Sequence, residues 1–91
     1  MKSKTAVLIP AFNPDRKLVD LVGELKKTFS FIVVVNDGST SGTDVFPSVA
    51  ALGAEVLTHE VNRGKGAALK TGLAESYQPS VTAYSLPEAR L

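Results

Sequence analysis

Phe31-Ile32-Val33-Val34-Val35-Asn36-Asp37-Gly38-Ser39 is the stretch that decides the fold of this chain. Five apolar residues, four of them β-branched, stand in a row. A branched β-carbon packs well on a pleated surface and is restricted in a helix, so the run reads as a strand. It is continuous rather than alternating, as expected of a strand buried on both faces, and such strands belong to parallel sheets covered by helices. The run ends at Asn36-Asp37-Gly38, so a polar turn stands at the strand's carboxyl end. Asn-Asp-Gly would also fit a hairpin, but Ser39–Asp44 lacks the alternation that a return strand needs.

Toward the amino terminus, Ala6-Val7-Leu8-Ile9 is a second continuous apolar run, stopped by Pro10. Between the two runs, Asn13-Pro14-Asp15 reads as a helix start, with a cap, a proline at the first helical position and an acid in the first turn. Leu18, Leu21, Val22 and Leu25 then give one apolar stripe, with Glu24, Lys26 and Lys27 on the solvated side. Toward the carboxyl terminus, a short helix is expected over Pro47–Leu52, with Pro47 in its first turn and Gly53 as a left-handed cap. Glu55–Thr58 reads as a third strand. Asn62 is expected to cap a helix carrying Ala68, Leu69, Leu73 and Tyr77, which Pro79 ends, and Val81–Tyr84 to form a short fourth strand.

Strands alternating with helices through short connections imply right-handed crossovers and a parallel sheet. The expectation is one three-layer α/β domain over residues 1–91, Rossmann-like, with helices on both faces. Ligands of such sheets bind outside the carboxyl ends of the strands. Pro10–Asp15, Asn36–Asp44 and His59–Gly66, the three turn-rich segments, all fall at that edge.

The composition narrows the function classes. Ten basic and nine acidic residues are interspersed and leave a formal charge of +1, which argues against nucleic acid and anionic membranes as partners. There is no cysteine, so disulfides and thiolate metal sites are excluded. No stretch approaches the roughly 20 apolar residues of a membrane span. The apolar run after Met1-Lys2-Ser3-Lys4 is too short for a signal peptide, so a cytoplasmic domain is expected.

Few residues offer chemistry. Asp37, at a strand's carboxyl end, can accept hydrogen bonds from a base N–H or from ribose hydroxyls, or can fold back on its own turn. Gly64-Lys65-Gly66 opens a helix, where backbone N–H groups and a lysine favour an anion; a capped helix with a flexible entry gives the same pattern. His59 lies near the same edge without an assigned role. Glu55, Glu60, Glu75 and Glu88 form no acid–base pair, and no cluster has metal-ligand spacing.

Taken together, Val7–Asn13, Val33–Ser39 and Asn62–Leu69 resemble the start of family-2 glycosyltransferases, in the branch of the polyprenol-phosphate sugar synthases. The resemblance covers residues 5 to 74, with a divergent tail over 79–91. It implies the nucleotide-binding front half of a GT-A fold, with a nucleoside-diphosphate sugar as partner. By the resemblance Pro10, Ala11, Phe12 and Asn13 line the nucleotide pocket, Asp37 contacts the base, and Lys65 lies near base or diphosphate. Asn36 stands where many relatives have another acid.

Such relatives hold manganese or magnesium with a D-x-D segment at the end of the fourth strand. Here Tyr84-Ser85 stands in that place, and no aspartate follows Asp44. The acceptor-binding half that carries the base has no counterpart in the chain. The expectation is therefore a truncated domain without catalytic or metal-binding residues, in which nucleotide binding survives and turnover does not. A non-catalytic regulatory module is the alternative, as is a structural remnant that forms a homo-oligomer through a bare sheet edge.

Overall fold

The computed structural model describes residues 3–75 and 80–83. The expected alternation is present as β1 (Ser3–Ala11), α1 (Lys17–Leu25), β2 (Phe29–Asp37), α2 (Val45–Ala51), β3 (Glu55–His59), α3 (Lys65–Glu75) and β4 (Ser80–Ala83). The strands form one sheet in the order β3-β2-β1-β4, and every pairing is parallel.

The continuous apolar runs are explained by what lies above and below them. Val7 pairs with Ile32 and Leu8 with Val33, so neighbouring residues of each strand face opposite layers. Val7, Ile9, Ile32 and Val34 pack with Leu18, Val22 and Leu25 of α1 and with Val45, Phe46 and Val49 of α2. Leu8, Val33 and Val35 pack on the other face with Ala68 of α3. Residues 6–9 and 32–35 are at most 1% exposed, which leaves no position for a polar side chain. The result is the three-layer α/β arrangement, a Rossmann-like sheet of the GT-A type.

Chain order sets where the strand-end loops stand. β1, β2 and β3 are laid down in one direction, and the chain then crosses back to place β4 on the other side of β1. The order reverses between β1 and β4, so the loop leaving β1 borders that reversal, and those leaving β2 and β3 follow along the same edge.

Several expected boundaries are corrected. α1 begins at Lys17, not at Pro14. Asn13 has φ 50°, a left-handed conformation that a helix cap does not adopt, and its side chain is engaged elsewhere. Asp15 Oδ1 instead accepts the Lys17 N–H at 2.9 Å. Asn62 likewise stands two residues too early to cap α3: its carboxamide oxygen accepts the Gly64 N–H at 3.0 Å, and the Gly64 carbonyl accepts the first helical bond, from Ala68. α2 begins at Val45, which does put Pro47 in its first turn, and Gly53 follows it with φ 103°. Leu73 was expected on the apolar stripe of α3 but is 51% exposed. β4 spans Ser80–Ala83, and Tyr77, Pro79 and Tyr84 lie outside the described residues.

Candidate functional site

Three loops leave the carboxyl ends of β1, β2 and β3, and side chains at the strand ends tie them into one unit. Asn13, just past β1, reaches the second loop, where its Oδ1 accepts N–H bonds from Thr40 at 2.8 Å and Ser41 at 3.1 Å. Its own N–H donates to Ser39 Oγ at 2.9 Å. Asn36, next to the end of β2, accepts the Ser39 N–H at 3.0 Å and starts the turn that brings Ser39 there. The approach is close enough to require glycine. A Cβ at Gly42 (φ 68°) would sit 1.9 Å from the Pro14 carbonyl oxygen.

Asp37 makes the second tie. It is the last residue of β2 and is 3% exposed. Its Oδ1 accepts the Arg63 N–H at 2.9 Å and a bond from His59 Nδ1 at 2.8 Å, and its Oδ2 accepts the Gly64 N–H at 2.8 Å. Among the described residues one lone pair of Oδ2 is left over. Gly38, the next residue, lies against the same third loop: a Cβ there would be 2.2 Å from the Asn62 nitrogen. Burial pushes the Asp37 pKa up, but the bonds from Arg63, His59 and Gly64 outweigh it, and the carboxyl stays below its ordinary value. At neutral pH it is a carboxylate and only an acceptor, so His59 Nδ1 carries the proton between them. On the far side of the ring, His59 Nε2 lies 2.7 Å from Thr71 Oγ1 of α3.

The residues expected at the site thus fall into three groups. Pro10 and Ala11 end β1, and the Ala11 side chain is buried in the layer below α1 and α2. Phe12 is 51% exposed at the edge, while the Asn13 oxygen and three of the Asp37 acceptor positions are bonded to neighbouring loops and strands. Lys65 is the first residue of α3. The glycines on either side of it differ from Gly38 and Gly42, because among the described residues a Cβ at Gly64 or Gly66 would meet nothing within 4 Å.

His59 and Thr71 have no role that the sequence alone assigns. Asp37 and His59 are partners in the β2–β3 register and end their strands side by side, a signal readable only once that register is known. Thr71 carries no signal of its own in the sequence. Among the described residues no group of three His, Cys, Asp or Glu could hold a metal ion, and Asp37 and His59 are bonded to each other and to backbone. The described residues therefore do not fit the manganese or magnesium that the resemblance implies. Tyr84-Ser85 lies outside them.

An open parallel sheet with its loops interlocked at the carboxyl edge defines a Rossmann-like α/β domain. The chain belongs to glycosyl transferase family 2, whose model matches residues 6–83. It is 37% identical over 83 residues to the uncharacterized protein MJ1222 of Methanocaldococcus jannaschii, covering 88% of this chain and 33% of that protein. It is 32% identical over 69 residues to the uncharacterized protein MJ0544 of the same organism, covering 71% of this chain and 30% of that protein. The chain thus spans about a third of the length of the curated relatives it matches. No solved structure matches it significantly.

Proposed function

We propose that this chain binds the nucleoside diphosphate of a sugar donor along the carboxyl edge, between the Pro10–Asn13 segment and the start of α3. The observation that carries the reading is the open space on both sides of Lys65. Glycine inside a helix costs about 0.5–1 kcal/mol relative to alanine, and among the described residues no packing contact accounts for Gly66. A bound group approaching the backbone closely would account for it. A diphosphate suits the place, since N–H groups at a helix start and a lysine beside them both favour negative charge. The exposed ring of Phe12 gives the base an apolar face to lie on.

Within this reading Asn13 and Asp37 shape the site by holding the loops, and Asp37 keeps one Oδ2 lone pair for a base or ribose donor. Asp37→Ala is expected to weaken nucleotide binding by about 1–3 kcal/mol, the scale of the hydrogen bonds that its buried carboxylate makes. The acceptor that the resemblance implies is a polyprenol phosphate. Transfer needs in addition a neutralised leaving group and a base for the acceptor's proton. The described residues offer no candidate for either, so this chain alone is expected to bind and not to transfer.

Calorimetry with uridine, guanosine and thymidine diphosphates and their sugars, with and without manganese, tests the proposal. Weak binding of at least one of them is expected, with a metal effect below about tenfold because hard cations need clustered oxygen ligands. No heat with any of them at millimolar concentration would sink the reading.

A further inference from the structure

Thr71 lies six residues beyond Lys65, roughly 9 Å along the helix, too far to belong to the same ligand contact. Its hydroxyl nevertheless joins the network that ends at Lys65. With the His59 Nδ1 proton facing Asp37, the other ring nitrogen, Nε2, shares a hydrogen bond with the Thr71 hydroxyl at 2.7 Å. Thr71 thus sets the plane of the His59 ring, and the ring sets one side of the Asp37 carboxylate. That carboxylate holds the Arg63 and Gly64 N–H groups immediately before Lys65. The network closes a triangle between the end of β2, the end of β3 and α3. It fixes α3 at two points, its entry and its second turn, and so fixes both its advance and its rotation.

We propose that His59 and Thr71 are positioning residues of the nucleotide site, acting through Asp37 on the turn that delivers Gly64, Lys65 and Gly66 to the ligand. The proposal rests on reading the carboxyl edge as a nucleotide site. Neither side chain touches the ligand. A carboxylate as buried as Asp37, beside the place of a diphosphate, is tolerated because its charge is taken up by three N–H donors. Loss of the Thr71 hydroxyl leaves the ring unsupported, loosens one of those donors and lets the turn move.

The test uses the full chain with uridine diphosphate or guanosine diphosphate, whichever the wild type binds more tightly, and measures amide hydrogen exchange beside affinity. Thr71→Val keeps the shape and removes the hydroxyl, while Thr71→Ser keeps the hydroxyl. Thr71→Val is expected to weaken binding about three- to tenfold, the scale of one hydrogen bond, and to speed exchange at the Arg63 and Gly64 amides. Thr71→Ser is expected to restore both, and His59→Phe to lose more than Thr71→Val. Wild-type affinity in Thr71→Val, or an equal loss in Thr71→Ser, would overturn the proposal. So would unchanged exchange at Arg63 and Gly64, whether or not binding falls. A wild type that binds neither nucleotide defeats the nucleotide reading itself, and the exchange at those two amides still judges the network.

Discussion

Asp37 and Gly38 stand side by side and do opposite things for the third loop. Asp37 draws it in with hydrogen bonds, and Gly38 leaves room for it by having no side chain. Gly38→Ala must place a Cβ 2.2 Å from the Asn62 nitrogen at φ 74°, so the loop has to retreat. The left-handed conformation alone costs roughly 1–2 kcal/mol for an L-residue. Chemical denaturation is expected to show a loss of about 2 kcal/mol or more, whereas an unchanged midpoint would mean that the loops do not meet. The Asp37 clamp also has a pH signature. A carboxyl whose pKa is lowered by folding adds stability above its unfolded pKa, and that stability is lost as pH falls through the folded value. Acid denaturation below about pH 4 is therefore expected to be shallower in Asp37→Asn than in the wild type. From the sequence, Asp37 was legible as a strand-end acid but not as an anchor for a loop 26 residues away, because a long-range partner leaves no local pattern.

The strands were legible because a strand buried on both faces admits only apolar residues, and that shows in composition alone. The helix entries were not. Asn13-Pro14-Asp15 has the residues of a helix start, and the competing demand that won is tertiary: Asn13 is used to tie the second loop, so the helix begins later, at Lys17. In α3 the same kind of pattern placed Leu73 among the core residues, but the sheet under that helix is covered by Ala68 with Leu69 beside it. Two substitutions separate these positions. Ile9→Ala, at a fully buried site between the central strands and their helices, is expected to cost about 2–5 kcal/mol. Leu73→Lys is expected to stay within about 0.5 kcal/mol of the wild type, as exposed positions do. A large loss at Leu73 in thermal or denaturant unfolding would show that α3 packs against something more than this sheet.

As a whole the molecule is a family 2 glycosyltransferase domain about a third the length of its curated relatives, with Phe12, Val61 and Leu73 exposed and β3 at an edge of the sheet. Exposed apolar side chains together with an unpaired strand edge favour association, so sedimentation at tens of micromolar is expected to show species larger than a monomer. A clean monomer would mean that this surface is better protected than its exposure implies. The central claim is the nucleotide at the carboxyl edge, and amide chemical-shift mapping during titration with uridine or guanosine diphosphate tests it most directly. The account predicts shifts concentrated in residues 10–13, 36–44 and 59–66, with the first turn of α3 among the most affected. Absence of shifts at millimolar nucleotide, or shifts confined to the opposite edge of the sheet, would contradict it.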